Sequence, residues 1–168
     1  MKKIILASVI SVLSLAAVAQ KDNNFQISVG AELGFATGSF SNTHSIGFGA
    51  TAQIETPIQD KLQAVAYGGI LSYNGKSVGG GTKFEGITII PLRVGVKYFL
   101  TGSVYGAFQA GLGILGNGAD GTAFSYSPQL GYEFKTNSGK PIDATFKYDA
   151  YSKNGTIGAF NIRLALVL

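Results

Sequence analysis

The chain has 168 residues, of which 46% are hydrophobic and only 13% are charged. Soluble domains carry about 25% charged residues, so this composition disfavours an ordinary hydrated surface, while the length suits a single domain. The 24 Gly residues disfavour long helices, and the lack of Cys excludes disulfides, thiolate metal sites and a cysteine nucleophile.

The N-terminus has the pattern of a secretory signal peptide. Met1-Lys2-Lys3 is positive, residues 4–18 are an apolar run, and Ala17-Val18-Ala19 is the small-x-small pattern of a signal-peptidase site. We therefore predict a signal peptide at 1–19 and a single mature domain at 20–168. A retained anchor is the alternative, although the run is shorter than the ~20 residues that span a bilayer. No basic patch indicates nucleic-acid binding.

The mature chain contains eight segments in which apolar residues alternate with small or polar ones. Residues 25–35 show this most clearly, because every odd position is apolar. Successive side chains of a strand point to opposite faces, so each segment predicts a strand with one apolar face. The eight segments are 25–35, 45–56, 62–73, 87–100, 103–115, 124–135, 142–151 and 157–168.

Each predicted strand has an assigned apolar face. Phe108, Leu130 and Ile162 represent the fifth, sixth and eighth strands. In the third strand, where the alternation is weaker, the assigned apolar positions are Val65, Tyr67, Leu71 and Tyr73. The connectors between strands are rich in Gly, Pro, Asn and Ser, which is typical of turns.

The polar faces indicate that the apolar faces point outward. They consist mostly of Gly, Ala, Ser, Thr and Gln with few charges, whereas soluble surfaces carry roughly 25–35% charged residues. An eight-stranded barrel has an interior that small side chains and paired charges fill, and its closure leaves no unpaired edge in lipid. We predict an all-β, eight-stranded antiparallel up-and-down transmembrane β-barrel. A soluble barrel that binds an apolar ligand inside is the alternative.

Three segments carry a resemblance to a known family. The strand Ile89-Ile90-Pro91-Leu92 to Lys97-Tyr98-Phe99 resembles the I-P-L…K-Y-F strand of the outer-membrane β-barrel domain of porin-family (PorT-like) proteins. Residues 105–113 resemble its Y-x-G-x-G-x-G segment, and 158–164 resemble its closing strand. The chain ends in Leu168, where such barrels often end in an aromatic residue.

The resemblance implies a fold and a location but no defined activity. It implies export to the outer membrane of a Gram-negative cell, with barrel-assembly machinery, periplasmic chaperones and outer-membrane lipid as partners. We expect a monomer without a cofactor.

Seven charged side chains are predicted to line the lumen. Buried charges must be paired, or each costs several kcal/mol. If the eighth strand closes on the first, Glu32 and Arg163 lie on adjacent strands at similar depth. The set forms either a salt-bridged plug in a non-conducting barrel or a narrow polar path. The predicted lumen charges are Glu32, Arg93, Lys97, Glu133, Asp143, Lys147 and Arg163.

The sequence gives little indication of catalysis. His44, the only His, lies in a predicted outward loop near Ser41 and Ser45, and only Glu85 and Asp120 are candidates for an orienting acid. Asp120 lacks the further acidic ligands of a Ca²⁺ site, and the run at 79–81 lacks the Lys-Ser/Thr and helix of a phosphate-binding loop. We therefore predict no enzyme.

The leading functional hypothesis is a structural, adhesive or surface-interaction role for an outer-membrane barrel with a plugged lumen. A small pore is the first alternative. The further alternatives are a lipid-modifying enzyme that uses His44 and a soluble barrel that binds an apolar ligand.

Overall fold

A computed structural model describes residues 25–78, 82–117, 121–136, 139–153 and 155–168. The predicted signal peptide, the glycine run at 79–81 and Asp120 lie outside these residues. In the described part of the chain, no helix is both long and apolar enough to cross a bilayer.

Ten strands make up the structure, and eight of them form one closed antiparallel barrel. Around the barrel the order is β1-β10-β9-β8-β7-β6-β3-β2, while β4 and β5 pair in a separate short hairpin. The predicted fold is confirmed. The strands are β1 Gln26–Thr37, β2 His44–Gln59, β3 Leu62–Gly75, β4 Ser77–Val78, β5 Thr82–Lys83, β6 Ile87–Phe99, β7 Val104–Gly116, β8 Gly121–Phe134, β9 Ile142–Ser152 and β10 Thr156–Val167.

The two ends of the barrel differ in their connections. At the end where β1 begins and β10 finishes, here called the terminal end, the connections are 60–61, 100–103 and 135–141. The opposite end, the loop end, carries the connections 38–43, 76–86, 117–120 and 153–155. The first of these contains the 3-10 helix Gly38–Asn42, and the second contains the β4–β5 hairpin.

The barrel wall has its polarity inverted relative to a soluble protein. Phe108, Leu130 and Ile162 are 50%, 56% and 44% exposed, whereas Arg93 and Lys147 are 2% and 1% exposed. The large apolar side chains therefore cover the outside and the charges lie inside, as the sequence predicted. Closure of the sheet separates the two faces of each strand, because every second side chain points into the lumen.

The face assigned to the third predicted strand was wrong. Val65, Tyr67, Leu71 and Tyr73 point into the lumen and are at most 4% exposed. The outward side of β3 carries small residues such as Ala66. Hydrophobicity misled the assignment because β3 turns most of its large aliphatic and aromatic side chains into the lumen. The sixth predicted strand, 124–135, was one residue too long at its end, because Lys135 lies just beyond β8 and is exposed.

Glycines in the wall make room for the tyrosines of the lumen. A Cβ at Gly131 would overlap the ring of Tyr105, and a Cβ at Gly113 would overlap the ring of Tyr151. Each tyrosine lies flat against a wall position that has no side chain. The small residues of the polar face therefore allow a narrow lumen to hold large rings.

We expect Gly131→Ala to destabilise the barrel by about 1–3 kcal/mol, because the added methyl group must displace the Tyr105 ring in a packed interior. Gly106→Ala is the matched control, since a Cβ there meets nothing within 4 Å. Guanidinium unfolding in detergent, followed by circular dichroism, measures both. Equal midpoints for the two variants would contradict this account of the lumen.

Candidate functional site in the barrel lumen

Two ionic clusters fill the lumen from its middle to the terminal end. The central cluster joins Arg93 to Asp149 through two bonds, Nη1 to Oδ1 at 2.8 Å and Nη2 to Oδ2 at 3.3 Å. Lys147 Nζ lies 2.8 Å from Glu32 Oε2 and 3.4 Å from Asp149 Oδ2. Tyr67 donates to Glu32 at 2.8 Å and accepts from Lys147 at 2.9 Å. Each charge therefore has a partner inside the wall.

The terminal-end cluster is centred on one ammonium group. Lys97 Nζ lies 3.0 Å from Glu55 Oε2, 2.5 Å from Glu133 Oε1 and 3.5 Å from Asp143 Oδ2. Glu133 is 18% exposed, so this cluster reaches the opening at the terminal end. The Lys97 ammonium also lies 4.0 Å from the centre of the Tyr105 ring, at cation–π distance.

Arg163 of β10 contacts side chains of three other strands. Its Nε donates to Thr51 at 2.9 Å, its Nη2 donates to Ser28 Oγ at 2.8 Å, and its Nη1 lies 3.5 Å from Asp143 Oδ1. Asp143 in turn accepts from Tyr105 at 2.7 Å. The guanidinium therefore links β1, β2, β9 and β10 across the point where the barrel closes.

All seven predicted lumen charges lie in these two clusters, but their ion pairs do not follow the strand register. Glu32 and Arg163 are register partners on β1 and β10, as expected. Glu32 nevertheless pairs with Lys147, and Arg163 turns to Asp143. The strand register fixes the Cα positions of these residues, whereas the long Arg and Lys side chains can each reach a carboxylate on another strand across the lumen.

The predicted set omitted two carboxylates that complete the clusters. Asp149 bridges Arg93 and Lys147, and Glu55 binds Lys97. Both occupy polar positions of the alternating segments 45–56 and 142–151. Counting charge would have indicated that at least one carboxylate was missing, since four cations in the predicted set faced only three carboxylates. No group of three or more potential metal-ligating side chains in the described ranges is arranged to hold a metal ion.

An apolar layer occupies the lumen at the loop end. Phe40, the buried residue of the 3-10 helix, packs against Tyr73 with ring centres 5.3 Å apart. This layer, here called the apolar compartment, separates the ionic clusters from the loop end. Its buried members are Phe40, Leu71, Tyr73, Ile87, Ile89, Leu115, Ala123, Tyr151 and Ala159.

His44 holds the rim of the loop end together. Its ring stacks on Phe40 with centres 4.5 Å apart, its Nε2 lies 3.1 Å from the Glu85 carbonyl oxygen, and its Nδ1 lies 2.8 Å from Thr43 Oγ1. Because a carbonyl only accepts, Nε2 carries a proton and donates it to Glu85. Ser41 Oγ donates to the Gly38 carbonyl instead. In the described residues, therefore, His44 pairs with no serine and no carboxylate.

Solved structures with the same fold are similar to this chain. Neisserial surface protein A matches with a TM-score of 0.60 and 16% identity, over 85% of this chain and 94% of that one. The outer membrane protein Ail of Yersinia pestis, solved in a phospholipid bilayer nanodisc, matches with a TM-score of 0.59 and 12% identity, over 88% and 100%. A de novo designed transmembrane β-barrel matches with a TM-score of 0.52 and 12% identity, over 85% and 95%.

At such identities the likeness shows the fold alone. No family model matches the chain, and no curated protein matches it. The resemblance to porin-family (PorT-like) proteins therefore stays a prediction.

We expect Asp149→Asn to cost about 3–5 kcal/mol of stability, because it leaves the buried Arg93 without its bidentate carboxylate. Asp60→Asn, in the exposed β2–β3 turn, is the matched control and should leave the unfolding midpoint unchanged. Chemical unfolding of both variants in the same detergent makes the comparison. A stable Asp149→Asn barrel would show that the central cluster is not structurally required.

Burial lowers the pKa of His44 below its ordinary value of 6.5, against the opposing effect of the Glu85 carbonyl. The folded state then binds the proton less readily than the unfolded chain. The His44 contribution to stability is therefore complete above about pH 6.5 and is lost as the pH falls through the lowered pKa. With one His in the sequence, an NMR titration gives a single assignable imidazole signal. A midpoint above 6.5 would contradict the packing at the rim.

Proposed function

We propose that this chain is an exported outer-membrane β-barrel, with its loop end outward and a surface-interaction role. One observation carries the proposal. The outside of the barrel is covered with large apolar side chains, while the strand charges are paired within the lumen. In water this arrangement would expose far more hydrocarbon than soluble monomers tolerate, whereas in a bilayer it is the stable one.

The loop end is the part of the molecule that supports a surface-interaction role. It carries the longest connection, 76–86, which contains the β4–β5 hairpin, and the connection whose 3-10 helix covers the lumen. Binding residues are often found on loops that a rigid scaffold positions. Ail, one of the structural neighbours, is the attachment invasion locus protein of Yersinia pestis. Attachment through the loop end is the corresponding role that we propose for this chain.

The packing of the lumen supports a plugged barrel rather than a pore. A hydrated ion would have to separate the Lys97 and Arg93 ion pairs and then cross the apolar compartment. Breaking a buried pair costs several kcal/mol, and the buried side chains of the apolar compartment offer an ion only the hydroxyl groups of Tyr73 and Tyr151 as polar partners. The plug therefore has two layers of different chemistry.

Cell fractionation tests the location. The mature protein should stay in the membrane fraction and require detergent for release, and it should run faster on a gel when unheated than when boiled. Release into the soluble fraction without detergent would overturn the proposed function and favour a soluble barrel.

Planar-bilayer recording tests the plug. We expect the wild-type barrel to show no stable conductance, because its ionic clusters and apolar compartment close the lumen.

Arg163→Ala should lower the temperature at which the barrel loses its compact gel mobility, since the residue links four strands. Lys140→Ala, which changes an exposed charge in the 135–141 connection, is the control. A conducting wild-type barrel would favour the pore.

A further inference from the structure

Two prolines interrupt the hydrogen-bond ladder of the barrel. Proline has no N–H, so within a closed sheet it removes one ladder bond. Between β3 and β6 the paired register stops at Gly68↔Leu92 and resumes at Leu71↔Ile89, with Pro91 in the gap. Between β8 and β9 it stops at Tyr126↔Ala150 and resumes at Gln129↔Lys147, with Pro128 in the gap. The register does not shift across either gap, so the strands stay aligned and each proline removes one backbone hydrogen bond from the wall.

The missing bonds leave two backbone carbonyls without their ladder donor. By the register, Pro91 lies opposite Gly69 and Pro128 lies opposite Tyr148. Backbone groups in a bilayer must be satisfied within the protein. Both seams are therefore weaker than their neighbours at these points.

The lumen behind the two gaps differs in chemistry. Behind the Pro128 gap lie Ser127 and Asp149, and Asp149 is held by Arg93 and Lys147. Opening this seam would bring an ionic cluster into contact with hydrocarbon, which costs several kcal/mol per ion. The central cluster thus keeps the β8–β9 seam closed.

Behind the Pro91 gap the lumen changes from ionic to apolar. On the terminal-end side of the gap, Arg93 of the central cluster is paired in register with Tyr67. On the loop-end side the lumen is apolar. Leu71 and Ile89, the first pair on its loop-end side, are fully buried members of the apolar compartment. Outside, Gly68 leaves the wall thin, since a Cβ there would meet only Leu92 and the Pro91 carbonyl, at 3.5 Å and 3.8 Å. Opening this seam from the gap to the loop end would bring apolar side chains into contact with hydrocarbon, which costs little, while Arg93 stays behind the closed part of the seam.

The apolar compartment has one member that does not belong to the wall. Phe40 comes from the connection between β1 and β2, and its ring lies against Tyr73 of β3. Its ring neighbours are His44 and Tyr73, and the other buried members of the compartment are aliphatic apart from Tyr151. Withdrawal of the Phe40 ring therefore leaves a space lined largely by aliphatic and aromatic carbon. Such a space fits a lipid acyl chain and repels a hydrated solute.

We propose that the wall between β3 and β6 opens at Pro91 and admits an acyl chain of a surrounding lipid into the apolar compartment in place of the Phe40 ring. This inference rests on the proposed membrane location and adds a binding site to it. Only three register pairs lie between the gap and the loop end of this seam, namely Leu71↔Ile89, Ser72↔Thr88 and Tyr73↔Ile87. A short opening is therefore sufficient.

Hydrogen exchange tests the opening. In lipid nanodiscs the amides of Leu71 and Ile89 should exchange faster than those of Tyr126 and Ala150, which adjoin the other gap. Pro91→Ala restores an N–H and should slow exchange at Leu71 and Ile89 roughly fivefold, the effect of about one net hydrogen bond. Pro128→Ala, the matched control, should leave these two amides unchanged. Equal exchange at both gaps in the wild-type barrel would overturn the opening.

Photocrosslinking tests the ligand. Nanodiscs made with phosphatidylcholine that carries a diazirine on its acyl chain should label Leu71 and Ile89 as well as the outward Leu112. The chain has no Cys, so Ile70→Cys with Ile90→Cys allows the seam to be locked by a disulfide. Locking should abolish labelling of Leu71 and Ile89 and reduction should restore it, while Leu112 stays labelled throughout. A disulfide on the terminal-end side of the gap, made by Ala66→Cys with Val94→Cys at a register pair, should have no such effect.

Phe40→Ala should raise labelling of Leu71 severalfold, because the ring that competes with the acyl chain is gone. Labelling of Leu112 without Leu71 in both the wild type and Phe40→Ala would overturn the acyl-chain site while leaving the membrane location intact. Failure of the barrel to enter nanodiscs at all would instead overturn the proposed function. The two failures are therefore distinguishable.

Discussion

Pairing of charge inside a narrow wall is the constraint on which the rest of the structure depends. Eight strands leave a lumen that side chains fill, and every charge placed there has lost its water. Arg93 therefore takes both oxygens of Asp149, and Lys97 gathers three carboxylates around one ammonium group. Because the partners come from different strands, the ion pairs also fix the strands relative to one another.

The lumen is layered along the barrel axis, and each layer has its own consequence. The ionic clusters supply rigidity towards the terminal end, and the tyrosines fit there because wall positions such as Gly131 carry no side chain. Near the loop end Leu71 and Ile89 are packed with Phe40 in an apolar layer. Ions therefore lie behind the gap at Pro128, whereas the gap at Pro91 lies at the boundary between the central cluster and the apolar compartment.

Much of the fold and part of the site follow from alternation alone. Period-two patterning identified all eight barrel strands and placed Arg93 and Lys147 on the inner face. It failed for Tyr67 and Tyr73, because alternation reports which residues share a face and hydrophobicity is then needed to orient that face. In β3 the inner face is the more apolar one, so the orientation came out reversed. The pairing of Glu32 with Lys147 could not be predicted from the sequence either, since it joins side chains across the lumen from strands that are distant in sequence.

By itself the sequence determined the number of barrel strands, the closed all-β architecture and the side of the wall on which the charges lie, because these depend on local alternation and on the cost of exposing charge to hydrocarbon. Only the tertiary structure decided which carboxylate meets which cation, that the lumen divides into ionic and apolar layers, and that Pro91 and Pro128 stand in front of different chemistry. Those features depend on register and on the curvature of the closed wall, which bring distant strands to within a side chain's reach.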